Sequence, residues 1–459
     1  VMSDELEDES NNIFSFNKLI DNVRKENYDK LKNDFLEKSQ SVNQEDIFTI
    51  IYTSGTTGNP KGVVLTNKNI LSNIKSIIAT NIIKEEDSFL SFLPLCHAYE
   101  RTVIYTLLTE GGLITIAQSI DTLSKNINEI SPTIITAVPK MLETVRSKIL
   151  KGIQSEKTAK RHIALSALKL SDKYVGVEKI PFLDRIKLKI YDKIVFSKLR
   201  ARLGGNLNYI VSGGAALPIE VQKFFISIGI TVIQGYGLTE CSPVVSANLP
   251  SNLELGTVGP PLESVEVKIS ESGEVLVKGD LVMKGYWNDE VATRSCIDDN
   301  NWFHTGDIGE FTESGSLKIT GRIKNIIITN GGKNISPSPI ENLLRMSDYI
   351  EFIAIYGNDR DYLTAVISPD YEQLKNLAEV NSINFTNINE LVNDSKIIKI
   401  IKKDIDKRQS TLAKYERVRK FHIVEKPFTI ETGELTPKMS MKTNVIFEKY
   451  KSAIEEMYK

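Results

Sequence analysis

Four runs rich in β-branched residues recur through the middle of the chain: "GGLITIAQ" (111–118), "TIITAVP" (133–139), "LNYIVSGG" (207–214) and "GITVIQGYG" (229–237). Helical stretches such as 139–151 and 218–228 separate them. Strands alternating with helices in this way predict an α/β architecture, parallel sheets covered by helices. From about residue 256 the texture changes to short strands and turns, as in "SVEVKISESGEVLVKG" and "GEFTESGSLKITGR", which predicts a β-rich subdomain over about 256–321. Beyond Arg322, glycine and proline signals in "TNGGKNISPSPIENLL" precede mixed α/β sequence, so a boundary falls near 321–325. The expected organisation is a large domain over 1–321 and a small α+β domain over 326–459.

Composition narrows the class further. With 459 residues and 41% hydrophobic content the chain can bury large cores. Its 57 basic and 59 acidic residues give no global field to draw in nucleic acid or an anionic membrane. Cys96, Cys241 and Cys296 are few, scattered and odd in number, which fits a reducing compartment, and a cytoplasmic protein is expected. No apolar run approaches the roughly 18 residues needed to span a bilayer. The acidic start "VMSDELEDES" does not read as a signal peptide, and "IFSFNKLIDNVRK" reads as a domain already under way, as in a piece of a longer chain. Residues 1 to about 45 read as helical and polar.

The densest chemistry lies in "FTIIYTSGTTGNPKGVVLTNKNI" (48–70), where a loop of glycine, hydroxyl residues and one lysine is flanked by strand-like runs. Thr66 or Asn67 is placed to cap the helix that follows. The loop fails the pattern of nucleotide-hydrolase phosphate loops, because counting from Gly55 the required glycine is Pro60 and Lys61 precedes Gly62. Its physical logic still suits an anion. Gly55, Gly58 and Gly62 admit close approach of backbone amides, Thr53, Ser54, Thr56 and Thr57 offer hydroxyls, and Lys61 adds a positive charge.

"YTSGTTGNPKG" resembles the phosphate loop of the adenylate-forming superfamily, and further motifs follow in that family's order. "SGGAALP" (212–218), with Gly214 and Ala215, resembles the lining of its adenine pocket. "QGYGLTE" (234–240) resembles its nucleotide motif, with Gln234, Gly235 and Gly237 around Tyr236. The resemblance implies that Tyr236 stacks on adenine, Thr239 contacts the α-phosphate and Glu240, with Thr53, holds Mg²⁺. "WFHTGD" supplies Asp307 for the ribose hydroxyls, and Arg322 would lie beside the same sugar. "LPLCHAYER" (93–101) is similar to a segment of the long-chain fatty acyl-CoA synthetase branch and places His97 at the acyl site in a positioning role.

What this resemblance implies is a two-step reaction using ATP, Mg²⁺ and CoA. A fatty carboxylate, already ionised near neutral pH, attacks the α-phosphorus of ATP, and a thiol then displaces AMP. The family's C-terminal domain rotates between the steps, which puts a hinge at 322–325 around Lys324 and turns Gly331 and Gly332 toward the thiol's tunnel. Transfer to acyl-carrier protein, and a non-catalytic nucleotide or acyl-adenylate binding protein, are the alternative readings. The latter is motivated by "LTPKMSMK" (435–442), where the family's catalytic lysine aligns with Ser440. Lys438 and Lys442 flank it, and an extended segment would point all three the same way. The long-chain members also have a substantial lobe before the phosphate loop, so an unpaired sheet edge is expected here. The basic, partly apolar stretch 182–203 reads first as the solvated face of a packed helix, with weak peripheral membrane contact as the alternative.

Overall fold

The computed structural model describes residues 15, 17, 20–21, 28–53, 60–177, 179–436 and 439–459. The chain opens with helix α1 (Tyr28–Ser41), then strands β1 (Ile47–Thr53) and β2 (Lys61–Thr66), helix α2 (Asn67–Ile78), β3 (Ser88–Ser91), α3 (Ala98–Glu110) and β4 (Leu113–Ile116). It continues through α4 (Leu123–Ile130), β5 (Ile134–Ala137), α5 (Pro139–Gln154), α6 (Thr158–Lys173), α7 (Phe182–Tyr191), α8 (Ser197–Ala201), β6 (Tyr209–Ser212), α9 (Ile219–Ser227), β7 (Thr231–Gly237) and β8 (Val244–Ala247). Next come β9 (Glu266–Ile269), β10 (Glu274–Lys278), β11 (Gly285–Tyr286), α10 (Glu290–Cys296), β12 (Phe303–Phe311) and β13 (Leu317–Arg322).

Strands β3 to β8 form one six-stranded sheet in the order β4-β3-β5-β6-β7-β8, parallel except for β8. Its continuous apolar runs are explained by burial on both faces, since successive residues of a strand point to opposite sides. Phe89, Ile134 and Ile233 enter one core cluster. Their neighbours Leu90, Ile135 and Val232 enter another, with α5, α8 and α9. The outer side of β4 pairs with no strand among the described residues, and its Leu113 and Ile116 are exposed, as expected of an open edge.

The first cluster also fastens two antiparallel sheets, β1-β2-β11 and β13-β12-β10-β9. Helix α2 is the strut between them. Thr66 and Asn69 close a capping box at its start, and the Asn69 amide donates to the carbonyls of Asp280 and Val282 at 2.7 and 2.8 Å. One turn on, Asn73 exchanges hydrogen bonds with the backbone of Val244.

After Arg322 the chain forms β14 (Ile327–Ile328), β15 (Asn334–Ile335), α11 (Pro337–Leu344), β16 (Ile350–Tyr356), β17 (Leu363–Pro369), α12 (Tyr371–Val380), α13 (Ile388–Asn393), α14 (Ser395–Arg408), β18 (Val418–Ile423), α15 (Thr443–Lys449) and α16 (Lys451–Met457). Sheet β16-β17-β18 repeats the two-faced pattern. Ile353, Ile355 and Ile367 pack with α11 to α14, whereas Phe352, Ala354 and Val366 pack with α15 and α16. The extended run expected over 435–442 is not what forms. Leu435 bridges Met441, the Thr436 amide donates to the Ser440 carbonyl, and Met439 takes φ +60°, so the chain reverses there. No described helix is long and apolar enough to cross a membrane.

Candidate active site

The glycine loop joins antiparallel partners. Thr53 ends β1 and pairs across the ladder with Lys61, the first residue of β2. Ser54, Gly55, Thr56, Thr57 and Gly58 lie outside the described residues. The hairpin therefore presents its two ends side by side, and both line a cavity of about 640 Å³. Gly213, Gly214, Gly235, Tyr236, Gly237, Thr239 and Glu240 line the same cavity, as do His97, Arg322 and Lys324.

Strand β7 delivers Tyr236 because it runs parallel to β6 and ends at the cavity. Immediately after it the chain turns so tightly that a Cβ on Gly237 would stand 1.8 Å from the Pro243 carbonyl oxygen, so only glycine fits. Asp307 and Arg322 face each other across the β12–β13 ladder. The Arg322 Nε donates to Asp307 Oδ1 at 2.6 Å, and the Tyr236 hydroxyl donates to Oδ2 at 2.8 Å. Asp307 itself is buried, at 5% exposure. Burial, reinforced by the Asp307 charge, pushes the Tyr236 phenol well above its ordinary pKa, so it remains a donor.

In a second group of the lining the Tyr286 hydroxyl donates to Glu240 Oε1 at 3.0 Å, and the Met283 amide donates to the Glu240 carbonyl at 2.8 Å. Lys61 Nζ lies 4.9 Å from the centre of the Tyr286 ring. Burial first, then the Glu240 charge, raises the Tyr286 pKa. A carboxyl group beside a lysine suits a hard cation that completes its oxygen shell with phosphate. Glu274 steadies a third group of the lining, accepting from the Gly306 amide and sharing a 2.9 Å contact with His304 Nδ1.

Beneath the site, the Tyr99 hydroxyl donates to the Val211 carbonyl at 2.8 Å, and its ring lies so close to Gly213 that a Cβ there would meet it at 3.2 Å. Glu100 is fully buried between the hydroxyls of Ser91 and Thr136, and burial raises its pKa. Ile77, Ile82, Ile83, Val103, Leu262 and Phe303 give the cavity an apolar part of its lining.

Other residues singled out from the sequence stand elsewhere. Ala215, Gln234, Asp307, Gly331, Gly332 and Lys442 do not line the cavity. Asp307 reaches it through Tyr236 and Arg322, whereas Gly331, Gly332 and Lys442 are exposed. Lys438 lies outside the described residues. Tyr286, Glu274 and Tyr99 were not among the residues singled out. "KGYWND" reads locally as a turn, and nothing in the sequence ties it to a glutamate 46 residues away.

Residues 4–287 match the AMP-binding enzyme family and residues 324–459 match the AMP-binding enzyme C-terminal domain. The chain belongs to the AMP-binding enzyme family. It is 34% identical over 423 residues to the long-chain-fatty-acid–CoA ligase FadD15 of Mycobacterium bovis, spanning 91% of this chain and 70% of that protein. A second relative, the chloroplastic long-chain-fatty-acid–acyl-carrier-protein ligase AEE15 of Arabidopsis thaliana, is 31% identical over 92% of this chain and 63% of its own length. Among solved structures, ATP-bound MatB from Rhodopseudomonas palustris aligns with TM-score 0.63 at 23% identity, over 91% of this chain and 70% of that one. The fold of this AMP-binding enzyme is thus the adenylate-forming fold expected from its motifs.

Proposed function

We propose that this AMP-binding enzyme activates a long-chain fatty acid with ATP and transfers the acyl group to CoA. The observation that carries the reading is that the linked group Tyr236, Asp307 and Arg322 and the linked group Glu240, Tyr286 and Lys61 meet at one cavity with a partly apolar lining. The FadD15 relative supports the acyl class and the thiol.

In this reading the adenine lies against Tyr236 and Gly214, and the ribose hydroxyls reach Asp307 and Arg322. The loop between Thr53 and Lys61, with its Ser54, Gly55, Thr56, Thr57 and Gly58, holds the β- and γ-phosphates. Thr239 donates to the α-phosphate, and Glu240 with Thr53 holds Mg²⁺, which when bound neutralises charge on the triphosphate. The fatty carboxylate, steered by His97, bonds to the α-phosphorus as the bond to pyrophosphate breaks. Residues 326–459 then turn about 322–325, and the thiol sulfur attacks the acyl carbon, giving its proton to solvent and displacing AMP. Gly331 and Gly332 would face the thiol in that second arrangement, and Lys438 or Lys442 would supply the ammonium in the first.

Transfer to acyl-carrier protein is the second reading, favoured by the AEE15 relative. ATP–pyrophosphate exchange with palmitate, followed by addition of CoA or of holo-acyl-carrier protein, separates the readings. Palmitate-dependent exchange and acyl-CoA formation are expected. ATP binding without exchange would mean a non-catalytic nucleotide binder, and acyl transfer to the carrier protein alone would select the second reading.

A further inference from the structure

The helical segment from Phe182 to Ala201 carries two apolar faces on opposite sides. The inward face is conventional: Val195, Phe196 and Leu199 are at most 8% exposed and belong to the core cluster formed with α5 and α9, against which Tyr191 packs. The outward face is not. Phe182, Leu183, Ile186, Ile190 and Ile194 are 73, 70, 41, 53 and 43% exposed. Residues four apart in a helix stack one above another, so Phe182, Ile186, Ile190 and Ile194 form a continuous stripe.

Basic side chains border the stripe. On a helical projection Arg185, Lys189 and Lys193 fall along one margin and Lys187 along the other, with Lys198 beyond its end, and all five are exposed. The two acidic residues of the segment are engaged within the fold. Asp184 accepts from the Tyr174 hydroxyl at 2.5 Å with Lys187 at 3.7 Å, and Asp192 pairs with Arg200 at 2.7 Å.

We propose that this face lies in the plane of an anionic lipid surface, with the stripe seated at the headgroup boundary and the basic margins on the lipid phosphates. Charge decides between occupants. A second copy docked stripe to stripe would bring the same basic margins together, whereas anionic headgroups neutralise them. The stripe and its margins form together the two signals that reversible surface binding requires, apolar insertion and electrostatic attraction. This surface does not depend on the acyl chemistry of the cavity.

The test is flotation of the full chain with vesicles of phosphatidylcholine alone or of equal parts phosphatidylcholine and phosphatidylglycerol, alongside sedimentation without lipid. The wild type is expected to float with the anionic vesicles and not with the neutral ones, less so as salt rises. Ile186→Ser with Ile190→Ser should weaken binding about tenfold or more. Lys189→Glu with Lys193→Glu should do so by about fivefold per residue. Both pairs are exposed, so their melting midpoints should match the wild type, which separates lost binding from lost fold. Failure of the folded wild type to float with anionic vesicles, or unchanged flotation of both double variants, would overturn the proposal. So would a lipid-free dimer that Ile186→Ser with Ile190→Ser dissolves, because the stripe would then be the seat of a second copy.

Discussion

Tyr286 touches three parts of the chain at once: it belongs to the β1-β2-β11 sheet, its hydroxyl meets Glu240 beyond β7, and its ring lies beside Lys61 at the end of the glycine loop. It is a positioning residue for Glu240. Tyr286→Phe removes the hydroxyl and keeps the ring, so the Lys61 contact and the packing persist. A hydrogen bond to a charged group contributes about 1.5–3 kcal/mol. The Mg²⁺ concentration for half-maximal exchange should therefore rise about tenfold, with the melting midpoint nearly unchanged; an unaltered Mg²⁺ dependence would show that Glu240 is oriented without it. Glu240, Tyr236, Asp307 and Arg322 could be picked out beforehand because each sits in a short recognisable run. The bond from the Tyr236 hydroxyl to Asp307 and the partnership of Tyr286 with Glu240 could not, since both close only when separate sheets are packed together.

Four strands of the six-stranded sheet, β4 to β7, were readable because continuous β-branched runs have one good solution, burial between helices, whereas the short β3 and β8 carry no such run and were not singled out. The reversal at 436–440 was not readable either, because turn hydrogen bonds and one residue of positive φ decided it rather than any apolar period. Helix α11 carries a different kind of hidden feature. Glu341, whose Oε1 accepts from the Ile355 amide at 3.1 Å, has its pKa pushed up to about 7 by burial, against the opposing influence of that amide and of Arg345. The folded state therefore holds this proton more tightly than the unfolded chain does. Stability is unaffected below about pH 4.5, falls as pH rises toward 7, and is lowest above it. Glu341→Gln keeps the acceptor and removes the titration. It should be about 3 kcal/mol more stable than wild type at pH 8 and equal to it at pH 4, by chemical denaturation at both. A gain of the same size at both pH values would point to packing instead.

Residues on either side of the 322–325 segment meet where α5 faces the end of α11 and strand β16. Arg345 donates to Glu143 Oε2 at 2.8 Å with both side chains less than a fifth exposed, and Lys140 lies 3.7 Å from Glu351. Lys140 and Arg345 also stand over the Phe352 ring, at 4.8 and 5.8 Å. Burial depresses the Lys140 pKa, and Glu143 Oε1 and Arg345 Nε find no partner among the described residues. Such a pair, 202 positions apart, leaves no trace in a single sequence. Removing one member strands the other, at a cost of about 3–5 kcal/mol. Glu143→Ala should thus loosen the junction and speed trypsin cleavage after Arg322 or Lys324 by at least about tenfold, while both parts stay folded; an unchanged cleavage rate would mean that other contacts hold the junction. A joint that carries ion pairs beside its apolar contacts answers to conditions that one made of oil alone ignores. Where its ion pairs part, the charged groups return to water, so dissolved salt sets how stiff the catch is, whereas Met346 and the Phe352 ring are the apolar surface that parting would bare.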